Sequence, residues 1–275
     1  MKKTYLAMGR VAAVLLALAG VQAPAQAAGD LLVAPTRIVI DNSGTTQVIL
    51  NNIGAEPATY RVSLEVKRMN ANGTLDDVPE GSFNAADTAT LSMISYSPRR
   101  ITLPPNQPQI IRVAIRPDPS LPDGEYRVHM LFRAIPAATA AATQVQTEGG
   151  LSIALTPIYG VTIPVILRKG AIEATAAISN PRVNEANGRA SFDFNMSRKG
   201  NASVYGDVIV TKPGVAEPLL IARGIATYPE VNERVVSIPI APEMVSALKG
   251  PVKVQFIRPA ADGAGQLAEV QAVVR

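Results

Sequence analysis

The chain has no cysteine, no tryptophan and a single histidine in 275 residues. Without cysteine there can be no disulfide, no thiolate metal site and no cysteine nucleophile. One histidine cannot build a histidine metal cluster. His129, flanked by Val128 and Met130 in a strand-patterned run, reads as a satisfied structural residue and not as a general base. Asp76, Asp77 and Glu80 could hold a cation weakly, but solvated turn carboxylates are the ordinary reading. An enzyme is therefore not expected, nor a cofactor or a resident metal. Aromatic residues make up only 4% of the chain, which leaves few platforms for stacking on sugars and disfavours a carbohydrate-binding module.

Positive charge is scarcer than the net value of +4 suggests. Lys2, Lys3 and Arg10 precede an apolar run at 11–20, and Ala25-Gln26-Ala27 supplies small residues for cleavage, so 1–27 reads as a signal peptide. Its removal takes three of the 26 Lys+Arg and none of the 22 Asp+Glu, leaving +1. No basic stripe for nucleic acid survives. No later apolar run approaches the roughly 18 residues of a membrane helix, so stable membrane insertion is not expected. The remaining chain, about 248 residues, suffices for two domains.

What the sequence has in quantity is β pattern. The longest run is 151–168, LSIALTPIYGVTIPVILR, with apolar residues at most odd positions. Eighteen residues would reach roughly 60 Å, several times an ordinary strand. Pro157 and Pro164 each lack an N–H, and they differ in parity, so they would lose donors toward opposite sides. Either the strand changes neighbours, with Gly160 a candidate for the switch, or its first part lies at a sheet edge. It can be read as a core strand of a sandwich or as an edge that accepts another chain. The small, polar stretch 137–150 before it reads as a mobile loop.

Short strand-like runs precede it at 31–40, 45–50, 59–69, 94–103, 109–115 and 125–134, separated by turn signals such as Asn72-Gly73 and Pro122-Asp123-Gly124. Asp123-Gly124-Glu125-Tyr126 resembles the tyrosine corner of immunoglobulin-like domains. After Lys169-Gly170 further runs follow at 172–179, 190–196, 203–211, 219–222, 234–240, 252–257 and 267–274. The expected fold is all-β: two immunoglobulin-like antiparallel β-sandwich domains, at 28–169 and 170–275. The triplets at Asn72, Asn195 and Asn201 match a glycosylation pattern too common to carry weight.

Three segments carry a resemblance to a known family. They are Pro35-Thr36-Arg37-Ile38-Val39-Ile40, then Ser97-Pro98-Arg99-Arg100-Ile101-Thr102-Leu103-Pro104-Pro105, then Leu121-Pro122-Asp123-Gly124-Glu125-Tyr126 through Arg133-Ala134-Ile135-Pro136. In this order, with the long strand following, the chain resembles the PapD-like periplasmic chaperones of pilus assembly. The resemblance implies a boomerang of two domains in the periplasm and no enzymatic activity. It implies pilus or fimbrial subunits as partners, with an outer-membrane usher as a further one. It places client contacts on Leu151, Ile153, Leu155 and Tyr159, and a carboxylate anchor on Arg37. The family's second basic anchor falls at Pro164, which cannot donate, and Arg168 and Lys169 are the nearest replacements. The resemblance also implies an interdomain salt-bridge cluster of Glu125, Arg168 and Asp262. The competing class is an exported adhesin-like or carbohydrate-binding sandwich.

Overall fold

A computed structural model describes residues 31–136 and 158–275, together with the backbone of 143–146 and 152–155. The signal peptide read at 1–27, Leu151 and Pro157 lie outside the described residues. In chain order the first part comprises β1 (Leu31–Ala34), β2 (Ile38–Asp41), β3 (Gly44–Asn52), β4 (Ala58–Glu65), β5 (Lys67–Met69), β6 (Leu75–Asp77), helix α1 (Ala85–Met93), β7 (Ile94–Ser97), β8 (Arg100–Leu103), β9 (Gln109–Ile115), β10 (Gly124–Ile135), β11 (Thr143–Gln146), β12 (Ser152–Leu155) and β13 (Gly160–Lys169).

Two sheets, ordered β1-β3-β9-β7 and β2-β13-β10-β4-β8, face each other. Alternation puts Val48, Leu50, Ile111 and Val113 of one sheet against Val62, Val128, Met130, Phe132, Ile163, Val165 and Leu167 of the other, all buried. The Tyr126 hydroxyl donates to the Pro122 carbonyl at 2.7 Å, closing a tyrosine corner.

Three runs expected to be single strands are each broken in two. The run 31–40 divides at Pro35 and 94–103 at Pro98, and in both the chain crosses from one sheet to the other. Proline has no N–H for a ladder, so pairing stops there and the chain can change layer. The run 59–69 divides at Val66, after which β5 leaves the sheet to pair with β6.

Helix α1 has no counterpart in the strand pattern. Asn84 caps it: its side chain accepts the Asp87 N–H at 2.8 Å, while the Asp87 carboxylate accepts the Asn84 N–H at 3.0 Å. Both Asp87 oxygens also accept from the Arg68 guanidinium at 2.7 Å, which ties the helix to β5.

The long run is likewise not one strand. Its first part, β12, pairs antiparallel with β11, a strand inside the stretch read as a loop. Its second part, β13, runs antiparallel to β10 and parallel to β2.

The second sandwich is built from β14 (Ala174–Ala186), β15 (Arg189–Gly200), β16 (Val204–Thr211), β17 (Leu220–Thr227), β18 (Glu233–Ile240), helix α2 (Met244–Leu248), β19 (Gly250–Arg258) and β20 (Gly265–Val274). Its sheets are β14-β15-β18 and β17-β16-β19-β20, with Phe192, Phe194 and Phe256 fully buried between them. Asn187 and Gly188 both have positive φ, the two-residue turn that matches strand twist and joins β14 to β15. Among the described residues no helix is long and apolar enough to cross a membrane.

Candidate functional site

The edge of β13 follows from its hydrogen bonds. The Tyr159 carbonyl accepts the Ala134 N–H of β10 at 2.9 Å, so odd residues of this segment turn their main-chain groups toward β10 and even residues turn theirs away. On the other side the Arg168 carbonyl accepts the Asn42 N–H at 2.6 Å. There β2 covers only Val165 to Arg168, since its pairing begins with Ile38 opposite Val165. Pro164 therefore lacks its N–H toward the side where β2 has not yet begun, and the β10 ladder loses nothing. Ile158, Gly160 and Thr162 direct main-chain donors and acceptors to a side on which no described strand lies. Ile158 and Tyr159 are 49% and 47% exposed, high values for apolar side chains on a sheet edge. Ile153 and Leu155 lie on β12, opposite Val145 and Thr143 of β11.

At the other end of β13, β2 and the second sandwich border a small cleft of about 260 Å³, lined by Pro35, Thr36, Arg37, Val39, Tyr205 and Asp262. The Arg37 guanidinium lies over the Tyr205 ring, 4.2 Å from its centroid. Its Nη1 reaches Asp262 Oδ2 at 3.4 Å. Arg37, read as a carboxylate anchor, thus has an internal carboxylate beside it.

Arg168 and Lys169 point elsewhere. Arg168 Nε donates to Glu125 Oε2 at 3.3 Å, and that oxygen also accepts the Ser203 hydroxyl at 2.7 Å and the Ser203 N–H at 3.1 Å. Lys169 Nζ donates to the Leu121 carbonyl at 2.7 Å and lies 3.5 Å from Asp123 Oδ1. Of the trio Glu125, Arg168 and Asp262, the structure joins the first two, while Asp262 is paired with Arg37. Asn201, one of the glycosylation triplets, sits between the domains: its main-chain carbonyl accepts the Glu125 N–H at 3.0 Å, and its Nδ2 donates to the Asp123 carbonyl at 3.4 Å as well as to the Ala171 carbonyl at 2.8 Å.

A second joint between the sandwiches involves residues that no motif marks. Glu230 accepts from Arg127 Nη2 at 2.5 Å and from the Met69 N–H at 2.8 Å, and Arg127 stacks 3.5 Å from the Tyr228 ring centroid. Met69, Ile166, Tyr228 and Val231 form a buried cluster beneath. The β5–β6 turn leans on β18, where the Val235 N–H donates to the Ala71 carbonyl at 3.2 Å. Gly73 has a φ of +86°, a left-handed backbone that favours glycine, and the Arg234 guanidinium lies where a Cβ would stand.

His129 lies in this joint, 2% exposed and edge-on to Tyr228 at 6.5 Å. The expected satisfied histidine is not satisfied: both ring nitrogens are buried without a partner. Its pKa is pushed down to about 3, by burial first and then by the charges of Arg127 and Lys67. Asp77 is held by Lys67, and Asp76 accepts from Asn70 at 2.8 Å. Among the described residues no acidic or histidine cluster has metal-binding geometry.

No protein-family model matches the chain, and no curated protein is similar enough to count as a relative. Solved structures with a similar course include the CsuC–CsuE chaperone and tip adhesion subunit complex from Csu pili of Acinetobacter baumannii, 12% identical, covering 89% of this chain and 99% of that one at a TM-score of 0.47. The YadV chaperone is 14% identical over 89% and 99%, with a TM-score of 0.45. The Salmonella enterica SafA pilin in complex with the SafB chaperone matches at 16% identity over 90% and 98%, with a TM-score of 0.45. At these values the likenesses carry no argument about function, which has to come from the residues.

Proposed function

We propose that this chain is a periplasmic chaperone that binds pilus or fimbrial subunits through a lent strand edge before they assemble. The observation that carries the reading is the edge of β13 that no described strand covers. Where β2 has not begun, an extended chain can add to Ile158, Gly160 and Thr162, and main-chain bonds there would supply affinity while alternate side chains fill pockets. Leu151, Ile153, Leu155 and Tyr159 are the residues lent to the client. Arg37 is the carboxylate anchor, because its fork suits a bidentate carboxylate, and Asp262 beside it is the internal carboxylate that a client would displace. The segments Pro35 to Ile40, Ser97 to Pro105 and Leu121 to Pro136 support the same reading by their resemblance to the PapD-like chaperones.

The test is recovery of an affinity-tagged chain from periplasmic extract, wild type beside an Ile153→Asp/Leu155→Asp variant. Charges forced into apolar pockets cost about 2 kcal/mol or more each, so the variant should fold normally and lose its co-purifying subunits. Subunits recovered in wild-type amounts with the variant would place binding on another surface. A glycan in place of a subunit would favour the exported adhesin-like or carbohydrate-binding alternative.

A further inference from the structure

Three arginines stand in one transverse row on the outward face of the sheet β2-β13-β10-β4-β8. Arg133 of β10 is directly opposite Arg61 of β4, and Arg61 is directly opposite Arg100 of β8. All three are exposed, while their chain neighbours Tyr60, Val62 and Phe132 point into the core. The row's alignment is marked two residues along on the same face, where the Thr59 and Thr102 hydroxyls meet at 2.9 Å.

Like charges directly opposite on neighbouring strands destabilise a sheet. Five other described arginines have carboxylate partners: Arg37 with Asp262, Arg68 with Asp87, Arg127 with Glu230, Arg168 with Glu125 and Arg182 with Asp193. Among the described residues Arg61, Arg100 and Arg133 form no ion pair. Three guanidinium forks on one face, each matching a carboxylate bidentately, make a surface complementary to negative charge.

The position of the row says what brings that charge. Arg133 is opposite Gly160, so the row runs to the open edge of β13. A strand added there would lie about 4.8 Å beyond β13 and about 10 Å from β10. Across that span the intervening residue is Gly160, over which the Leu131 side chain already leans, its Cδ1 2.9 Å from where a Cβ would stand; a long glutamate and a long arginine can still meet above that low apolar floor. Only a polypeptide uses the free main-chain donors and acceptors beside the row.

We propose that Arg133, Arg61 and Arg100 bind an acidic segment of the client, with a carboxylate side chain of the added strand in register with Gly160. The inference rests on the strand-capture reading and adds to it a preference among clients.

The experiment uses the chain without its leader and two short synthetic peptides, one alternating valine with threonine and one with glutamates replacing some threonines. The glutamate peptide should bind at least about tenfold more tightly at low salt, and the difference should shrink as salt rises. In an Arg61→Gln/Arg100→Gln/Arg133→Gln variant the difference should vanish while the threonine peptide binds as before. The variant's melting temperature should hold or rise, since repulsion has been removed. Equal affinity of wild type for both peptides, or a preference that survives the triple substitution, overturns the row's role but leaves strand capture standing. Tighter binding of a duplex oligonucleotide or of phosphatidylserine vesicles than of the glutamate peptide overturns it in favour of phosphate. Failure of both peptides to bind wild type removes strand capture and the inference together.

Discussion

Glu125 of the first sandwich and Ser203 of the second share a 2.7 Å hydrogen bond, the serine hydroxyl donating to a carboxylate that is wholly shielded from solvent. Arg168 donates to the same oxygen from the side of β13. An exposed ion pair is worth little, but a buried carboxylate that loses its charge leaves donors stranded. One oxygen thus links the strand proposed for capture, the opening of β10 and the second sandwich.

Glu125→Gln should therefore lower the free energy of unfolding by about 1–3 kcal/mol, with Ser203→Ala lowering it by about 1 kcal/mol. Denaturant titration of the two single variants and the double variant should give a coupling of at least about 0.5 kcal/mol. Additive effects would mean that the two groups do not act together.

His129 makes stability depend on pH. The unfolded imidazole takes its proton near 6.5, whereas the folded one resists until about 3, so the unfolded state holds more protons between these values. The folded pKa is depressed, so its contribution is complete above about pH 6.5 and is lost as pH falls toward about 3. Arg127 and Lys67 oppose the proton, and Glu230 and Asp77 favour it more weakly. His129→Leu should flatten the loss over that window, read as the difference between the variant's and wild type's unfolding free energies at pH 7 and pH 4. Parallel curves would show that another group carries the acid sensitivity.

Asp262 sits 3.4 Å from the Arg37 guanidinium, so a client carboxylate bound as proposed would have to displace it. Arg37→Ala should shift the melting temperature little, because a pair open to solvent on one side contributes about 0–1 kcal/mol, yet it should reduce the subunit recovered from periplasm. Asp262→Asn should act oppositely, freeing the guanidinium and increasing recovery. Equal recovery from both variants and wild type would remove Arg37 as an anchor.

Period-two patterning in the sequence reveals most strands, and Asp123-Gly124-Glu125-Tyr126 reveals the corner that Tyr126 closes on Pro122. It does not show where strands change sheet, although Pro35 and Pro98 mark both places once the missing N–H is considered. Helix α1 escapes because Ala85–Met93 is rich in alanine and threonine and has no apolar stripe. Its signal is Asn84 with Asp87 three residues on. The joint around Glu230 could not be found from spacing, since Arg127 and Met69 are distant in the chain and meet it only through tertiary packing. The row Arg133–Arg61–Arg100 is equally hidden, because strand register alone aligns residues from three separate runs.

Hydrogen exchange on the complex recovered with the tagged chain tests strand capture most directly. Main-chain N–H groups at Ile158, Gly160 and Thr162 face no described strand in the free chain and should exchange rapidly. When a client strand adds there, their exchange should slow by about tenfold or more, while the amides of Val165 and Leu167, already paired with β10, change little. Unchanged exchange at 158, 160 and 162 in a complex that holds its client would contradict the account.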